Sequence, residues 1–300
     1  MSKHRAGSNL YLKSLALINS KIGTMKNLIL LILLFSATFA SGQKMLCCAI
    51  ASNDMRAMVD DPQFRASHAP PLPFNYEGQA GKMISFPTAD GRTGSAYEVL
   101  ASKPTKNFLI ITHEWWGLND YIKQRADELQ KTFGNINVIA VDMYDGKVAT
   151  SPDSAGKYVK EATDTRIMNV IKGAISFAGK DARIFSLGWC FGGGYSLQTA
   201  IAAGKQAVGC VMYYGMPETD MTKLKSLHCD VLGLFASQDK WINPDMVKTF
   251  NDNMNKAGKK LSFKEYNAVH GFANPSNPKY DKTSTEDANQ AAIDFIKERL

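Results

Sequence analysis

One stretch of this chain, an apolar run followed at once by a glycine-rich turn, constrains the fold more than any other. Residues 183–187 are apolar enough for a buried parallel strand, the letters GWCFG follow at 188–192, and residues 195–201 favour a helix. A strand that turns sharply into a helix, with glycines two before and two after a reactive side chain, is a nucleophile elbow. Side chains at the glycine positions would collide with neighbouring elements. The pattern predicts an α/β sheet with Cys190 as the nucleophile. The alternative is a small buried cysteine beside a tight turn.

An acid and a histidine follow in the chain order that such a fold requires. Residues 231–236 predict a strand that ends just before Asp239, and residues 261–266 alternate like a strand and lead to His270. The order nucleophile, acid, base is that of hydrolases with this elbow. His270 is expected to accept the Cys190 proton, and Asp239 to orient the imidazole. The alternatives are a loop histidine bonded to backbone and an aspartate that caps a helix.

A further strand, predicted at 107–112, leads into Glu114, Trp115 and Trp116. The loop at this position and the residue after the nucleophile supply the oxyanion-hole donors in such folds. The expected donors are the backbone N–H groups of Trp115 and Phe191. Glu114 lies among tryptophans, so desolvation should raise its pKa. The alternative for the two tryptophans is a place in the core.

The remaining segments alternate between strands and helices, as a doubly wound, mostly parallel sheet flanked by helices requires. The polar stretch 147–160 is expected to form a loop and a short helix. The other predicted strands are 136–142 and 209–215, and the other predicted helices are 164–178, 245–257 and 285–300.

Together, Glu114, the 188–193 glycine turn, Asp239 and His270 resemble the dienelactone hydrolase family of the α/β-hydrolase superfamily, over about residues 83–300. The resemblance implies a carboxymethylenebutenolidase-like hydrolase that cleaves a small ester or lactone through a Cys190 thioester, with His270 and Asp239. It implies that Glu114 hydrogen-bonds the resting thiol and takes part in its switch to thiolate. It also implies that no cofactor or metal is needed. One alternative is a non-catalytic relative that binds a small ligand, and the intact triad argues against it. The other is a thiol redox protein, and the absence of a second cysteine three residues from Cys190 argues against that.

The chain departs from the family where the substrate is held. The family grips its substrate's carboxylate with arginines, one of them four residues after the histidine, where this chain has Asn274; at the second arginine's approximate position it has Ser154. We therefore expect a preference for neutral esters or lactones, unless Lys147 or Lys240 acts as the clamp. The residues expected around the substrate are Trp116, Trp241, Phe272 and Asn274.

The first 42 residues indicate a leader. Met25, the favoured true start, precedes the apolar run 28–35 and a small-residue end at 40–42, which is typical of a secretory signal peptide. Residues 43–82 contain several prolines and predict an extended linker before a catalytic domain at 83–300. The expected location is periplasmic or extracellular. The alternatives are an uncleaved membrane anchor and a lipoprotein modified at Cys47 or Cys48. The residues before Cys47 are not the small ones that usually precede a lipidated cysteine.

Charge and cysteine content limit the partners. Without residues 1–42 the chain has 30 basic and 28 acidic residues and no basic patch with interleaved aromatics, so nucleic-acid binding is not expected. We expect a monomer with a small-molecule ester or lactone substrate and no stable membrane insertion after cleavage. Of five cysteines, Cys210 and Cys229 are candidates for a disulfide.

Overall fold

The computed structural model describes residues 56–300 of the chain. Within this range the strands are β1 Lys82–Pro87, β2 Thr93–Val99, β3 Asn107–Thr112, β4 Asn137–Val141, β5 Arg183–Trp189, β6 Ala207–Tyr213, β7 Val231–Ala236 and β8 Leu261–Tyr266. The α-helices in the same range are α1 Pro62–Ser67, α2 Asp120–Phe133, α3 Pro152–Glu161, α4 Asp164–Ala178, α5 Phe191–Ala203, α6 Met221–Ser226, α7 Pro244–Lys256 and α8 Lys282–Lys297. A short 3₁₀ turn, Gly204–Gln206, joins α5 to β6.

The described strands form one eight-stranded sheet in the order β1-β2-β4-β3-β5-β6-β7-β8. Strand β2 is antiparallel to β1 and to β4, and the remaining neighbours are parallel. The expected α/β-hydrolase fold, a mostly parallel sheet flanked by helices, is confirmed. Every residue of β4 and β7 is buried, because helices cover both faces of the sheet. This double cover explains why these strands are continuous apolar runs.

The predicted extended linker is wrong where the structure describes a helix. Asp61 caps α1 by accepting from the backbone N–H of Gln63 at 2.8 Å, and Pro62 occupies the first helical turn, where proline is favoured. Phe64 is fully buried within this helix. Ion pairs join Arg65 to Asp153 and other residues of the segment to the region of α3 and α4. Residues 56–68, which we name the N-terminal segment, therefore pack onto the sheet domain.

The predictions about the leader, the cleavage site and the cysteines at 47 and 48 lie outside the described residues. No helix within residues 56–300 is long and apolar enough to cross a membrane. Cys210 and Cys229 are both free thiols, so the candidate disulfide between them is not formed. The Cys210 sulfur lies inside the fold, 3.5 Å from the hydroxyl of Ser196.

Candidate active site

The carboxyl ends of four parallel strands bring the predicted site residues to one edge of the sheet. Glu114 follows β3, Cys190 follows β5, Asp239 follows β7 and His270 follows β8. Parallel strands end at the same edge, where such folds bind their ligands. The topology thus gathers side chains that are up to 156 positions apart in sequence, from 114 to 270.

The turn at Cys190 has the strained geometry of an elbow. Cys190 has φ of +53°, in the left-handed region that non-glycine residues rarely adopt. A β-carbon at position 188 would lie 2.2 Å from the carbonyl oxygen of Gly192, and one at 192 would lie 2.1 Å from that of Thr112. The flanking glycines are therefore required by the close approach of β3, β5 and α5.

Cys190, His270 and Asp239 form a continuous hydrogen-bonded line. Nε2 of His270 lies 3.1 Å from Sγ of Cys190, and Nδ1 lies 2.6 Å from Oδ2 of Asp239. The other oxygen of Asp239 accepts from the backbone N–H groups of Trp241 at 2.8 Å and Ile242 at 3.0 Å. Asp239 therefore begins a turn and holds the imidazole. It does not cap a helix, because the next helix, α7, is capped by Asn243.

The charges along this line support one another. Burial opposes the charged form of His270, but Asp239 and Cys190 outweigh that cost and raise the pKa of the imidazole well above its usual value. Burial likewise opposes the Asp239 carboxylate, yet His270 and the two backbone donors lower the pKa of this group. The pair is arranged to stabilise a positively charged imidazolium.

The Cys190 thiol is buried, and burial raises its pKa. His270 opposes this effect, as does the backbone N–H of Phe191 at the start of α5, which favours the thiolate. The charge of Glu114 acts in the opposite sense and raises the thiol pKa further. The protonation state of Cys190 thus depends on both neighbouring ionisable groups.

Glu114 is a buried carboxyl group with neutral hydrogen-bond donors. Oε1 accepts from the Tyr214 hydroxyl at 3.2 Å, and Oε2 accepts from Nδ2 of Asn274 at 2.6 Å. Burial raises its pKa to about 7, against the influence of His270 and these two donors. The hydrogen bond from Glu114 to the resting thiol, implied by the resemblance, is not formed: the two carboxyl oxygens bond Tyr214 and Asn274. Glu114 influences Cys190 through its charge.

Comparison with known proteins places this geometry in a family. The model described as "Dienelactone hydrolase family" matches residues 95–300, more than two thirds of the chain. The chain belongs to the dienelactone hydrolase family. Membership confirms the expected enzyme class, a hydrolase of esters or lactones.

The relatives of this dienelactone hydrolase family member are distant. Protein usf of Aquifex pyrophilus is 29% identical over 206 residues, which cover 64% of this chain and 88% of the relative. A protein of Aquifex aeolicus with the provisional name carboxymethylenebutenolidase is 25% identical with the same coverage. A crystal structure of a dienelactone hydrolase-like promiscuous phosphotriesterase from metagenomic libraries shares the fold, with a TM-score of 0.63 and 20% identity over 73% of this chain and 99% of that one.

Two of the four residues expected around the substrate line the space next to Cys190. Trp116 and Asn274 border both a very small cavity at Cys190 and a larger one of about 270 Å³ beside it. Trp241 is half-buried and packs edge-on against Phe64 at 5.1 Å between ring centroids. Phe272 is fully buried against Tyr214, so its expected place on the substrate pocket is wrong and it belongs to the core.

Sequence reasoning missed His68 of the N-terminal segment. Its ring is 7% exposed, borders the small cavity with Cys190, and lies 5.4 Å from the His270 ring between centroids. Phe64 holds it there by contacting Trp115 and Trp241. The helix signal of Asp61 followed by proline was present in the sequence. It gives no information about the long-range packing that brings His68 to the site.

Proposed function

We propose that this protein hydrolyses small, neutral carboxylic esters or lactones through a thioester on Cys190, with His270 as general base and acid and Asp239 as its orienting group. The observation that carries the proposal is the line of contacts from Sγ of Cys190 to Nε2 of His270 at 3.1 Å and from Nδ1 to Asp239 at 2.6 Å. A nucleophile, a base in reach and a third group that orients the base make up the arrangement of covalent acyl transfer.

In the first half of the reaction, the thiol proton passes to Nε2 of His270 and the sulfur attacks the ester carbonyl carbon. The carbonyl oxygen becomes an oxyanion, for which the N–H of Phe191, which lowers the pKa of the thiol, is proposed as one donor. The N–H of Trp115 is proposed as the second. The C–O bond then breaks, the leaving alkoxide takes the proton from His270, and an alcohol and a thioester result.

In the second half, water attacks the thioester carbonyl while His270 accepts a proton from it. The carbon–sulfur bond breaks, the carboxylic acid leaves, and Cys190 recovers its proton. Asp239 stabilises the imidazolium in both halves through its 2.6 Å contact with Nδ1.

The walls of the larger cavity support neutral substrates. Its apolar and aromatic residues include Trp116 and Trp189. Its one arginine, Arg125, pairs with Glu128 at 3.2 Å through Nη1, whereas its buried Nη2 has no hydrogen-bond partner among the described residues. Lys147, the alternative clamp, pairs with Glu161 at 2.7 Å. Beside Cys190 stands Asn274, which offers a substrate carboxylate no positive charge, and burying an unpaired carboxylate there would cost several kcal/mol.

The experiment is to trap the acyl-enzyme. Rapid acid quench of the protein with a good aryl ester should add one acyl group, which mass spectrometry of peptides should place on Cys190. Cys190→Ala should lose the adduct and at least about a thousandfold in turnover. Cys229→Ala, which removes a half-buried free thiol outside the site, is the matched control and should retain both. Retained turnover in folded Cys190→Ala would falsify the proposal.

We also propose export, on the basis of the leader sequence alone. The chain isolated from its native host should begin near Gln43, after the small residues Ala40 and Gly42. Amino-terminal mass spectrometry of that protein tests this. Detection of residues 10–24 in the folded protein would argue against signal-peptide cleavage.

A further inference from the structure

A second histidine turns the Cys190–His270 pair into a cluster of three metal-type ligands. One ligand atom from each of His68, Cys190 and His270 lies within 4.8 Å of the other two, and all three residues are buried. Imidazole nitrogen and thiolate sulfur are the donors that zinc prefers.

We propose that His68, Cys190 and His270 form a binding site for a thiophilic divalent cation such as Zn²⁺, and that the bound ion blocks hydrolysis. The binding part of this inference is independent of the proposed function. The inhibitory part rests on it, because it requires Cys190 to be the nucleophile.

The Nδ1 hydrogen bonds of the two histidines are of the kind that zinc-binding histidines make. Nδ1 of His68 lies 2.6 Å from the carbonyl oxygen of Phe64, and Nδ1 of His270 lies 2.6 Å from the carboxylate of Asp239. A carbonyl oxygen or a carboxylate accepts, so Nδ1 carries the proton on each ring and Nε2 is the nitrogen available to a metal. Zinc-binding histidines nearly always donate their other N–H to such a carbonyl or carboxylate.

The distances require only small adjustments. Tetrahedral zinc, with bonds of about 2.3 Å to sulfur and 2.0–2.1 Å to nitrogen, separates a sulfur from a nitrogen ligand by about 3.6 Å and two nitrogens by about 3.3 Å. The Cys190–His270 distance of 3.1 Å would widen slightly, and His68 would move inward by at most about 1.5 Å from the 4.8 Å limit. Three protein ligands leave a fourth position for water.

The charges at the site also favour a dication. The Cys190 thiolate and the buried Asp239 carboxylate supply two negative charges close to the ion. His68 lies in the N-terminal segment, before the residues 95–300 that the family model matches. The third ligand is thus contributed by a part of the chain outside that match.

An ion held here would stop the proposed reaction at its first step. The thiolate electron pair would be committed to the metal, and Nε2 of His270 could no longer accept a proton. Inhibition should therefore be reversible by a chelator, and it should depend on His68.

The experiment measures Zn²⁺ affinity by competition with a chromophoric chelator, and Co²⁺ binding by absorption spectroscopy. We expect one ion per chain and a thiolate-to-cobalt charge-transfer band that is absent in Cys190→Ser. His68→Gln, which keeps much of the side-chain volume, should weaken Zn²⁺ binding at least about tenfold. His68→Cys, which offers a thiolate instead, should retain tight binding. His228→Ala removes an exposed histidine outside the site and should bind like the wild type.

Circular dichroism confirms that each variant is folded before its affinity is compared. Wild-type affinity in folded His68→Gln, or no stoichiometric binding in the wild type, would overturn the site. Zn²⁺ should also inhibit ester hydrolysis by the wild type more strongly than by His68→Gln. Binding with a cobalt–thiolate band but no inhibition would overturn the inhibitory part and would count against Cys190 as the nucleophile, without affecting the binding site.

Discussion

Asn274 donates a 2.6 Å hydrogen bond from Nδ2 to Oε2 of Glu114. Its own Oδ1 accepts from the backbone N–H and the hydroxyl of Ser276. Both polar atoms of the Asn274 amide, which stands where the family has a substrate-binding arginine, are therefore already hydrogen-bonded. Its function in the resting site is to hold the carboxyl group that acts on Cys190.

The first prediction concerns Asn274→Arg. The new guanidinium should pair with Glu114 and therefore be largely unavailable to the substrate. A hydrogen bond from an unpaired guanidinium to a substrate carboxylate contributes about 1.5–3 kcal/mol, which is more than tenfold in kcat/KM. The preference for neutral over carboxylated esters should therefore narrow by less than about tenfold. The measurement is kcat/KM for matched neutral and carboxylated substrates. A hundredfold gain for the anion would mean that the arginine reaches the substrate instead.

Glu114→Gln should make Cys190 reactive at lower pH. The ionised carboxylate raises the pKa of the thiol, so its neutral replacement favours the thiolate. Iodoacetamide labelling of Cys190 should begin at lower pH in the variant than in the wild type. Burial raises the pKa of the Cys229 thiol, which lies outside the site, so any labelling of Cys229 should be slow and the same in both proteins. Coincident Cys190 profiles would leave Glu114 without an electrostatic role.

The same variant should change how stability depends on pH. The pKa of Glu114 is raised from 4.5 to about 7, so between these values the unfolded state releases a proton that the folded state keeps. Relative to Glu114→Gln, the wild type therefore loses stability as pH rises through this window, by about 3 kcal/mol in total. Urea unfolding of both proteins at pH 4.5, 6 and 8 measures the difference. A constant offset across pH would contradict the raised pKa.

Gly192→Ala should be strongly destabilising. Its β-carbon would lie 2.1 Å from the Thr112 carbonyl oxygen and 2.3 Å from that of His113, and neither backbone group can rotate away. We expect a loss of at least about 3 kcal/mol in the free energy of unfolding, since overpacking against backbone exceeds the usual cost. Gly156→Ala, in α3 with no neighbour closer than 3.9 Å, is the control and should be neutral or stabilising.

Phe64→Ala tests whether the N-terminal segment is part of the folded domain. Phe64 is fully buried, and its loss should cost about 3–5 kcal/mol. Leu72→Ala changes a residue that is 61% exposed in the following stretch and should cost little. Chemical denaturation of the two variants provides the comparison. A loss below about 1 kcal/mol at Phe64 would show that the segment is only loosely attached.

Local patterns predicted the sheet and the positions of the site residues well. The strands at 107–112, 231–236 and 261–266 and the helix at 164–178 have the predicted bounds, because apolar runs bounded by caps and turns are local signals. The gathering of Cys190 and His270 followed from topology, since parallel strands end at one edge. Phe272 could not be assigned in this way. Its neighbour His270 faces the site, but its own ring turns into the core, and only three-dimensional packing decides between the two.

The prediction of an extended linker fails in the N-terminal segment for a different reason. Prolines are common in linkers, but Pro62 occupies the first turn of α1, where a missing N–H costs nothing. The burial of Phe64 and the position of His68 depend on Trp115 and Trp241, which lie far away in sequence. No periodicity within the segment could reveal those contacts.

The packing of Phe64 and His68 beside Cys190 has a consequence for how this enzyme's substrate range can diverge. Part of the wall of the small cavity at Cys190 belongs to the N-terminal segment, which precedes the hydrolytic motifs in sequence. This segment supplies none of the groups proposed for acyl transfer. Substitutions in the N-terminal segment can change the size or polarity of this cavity while leaving Cys190, Asp239 and His270 unchanged. Homologues with the same motifs but a different upstream stretch would then accept different esters.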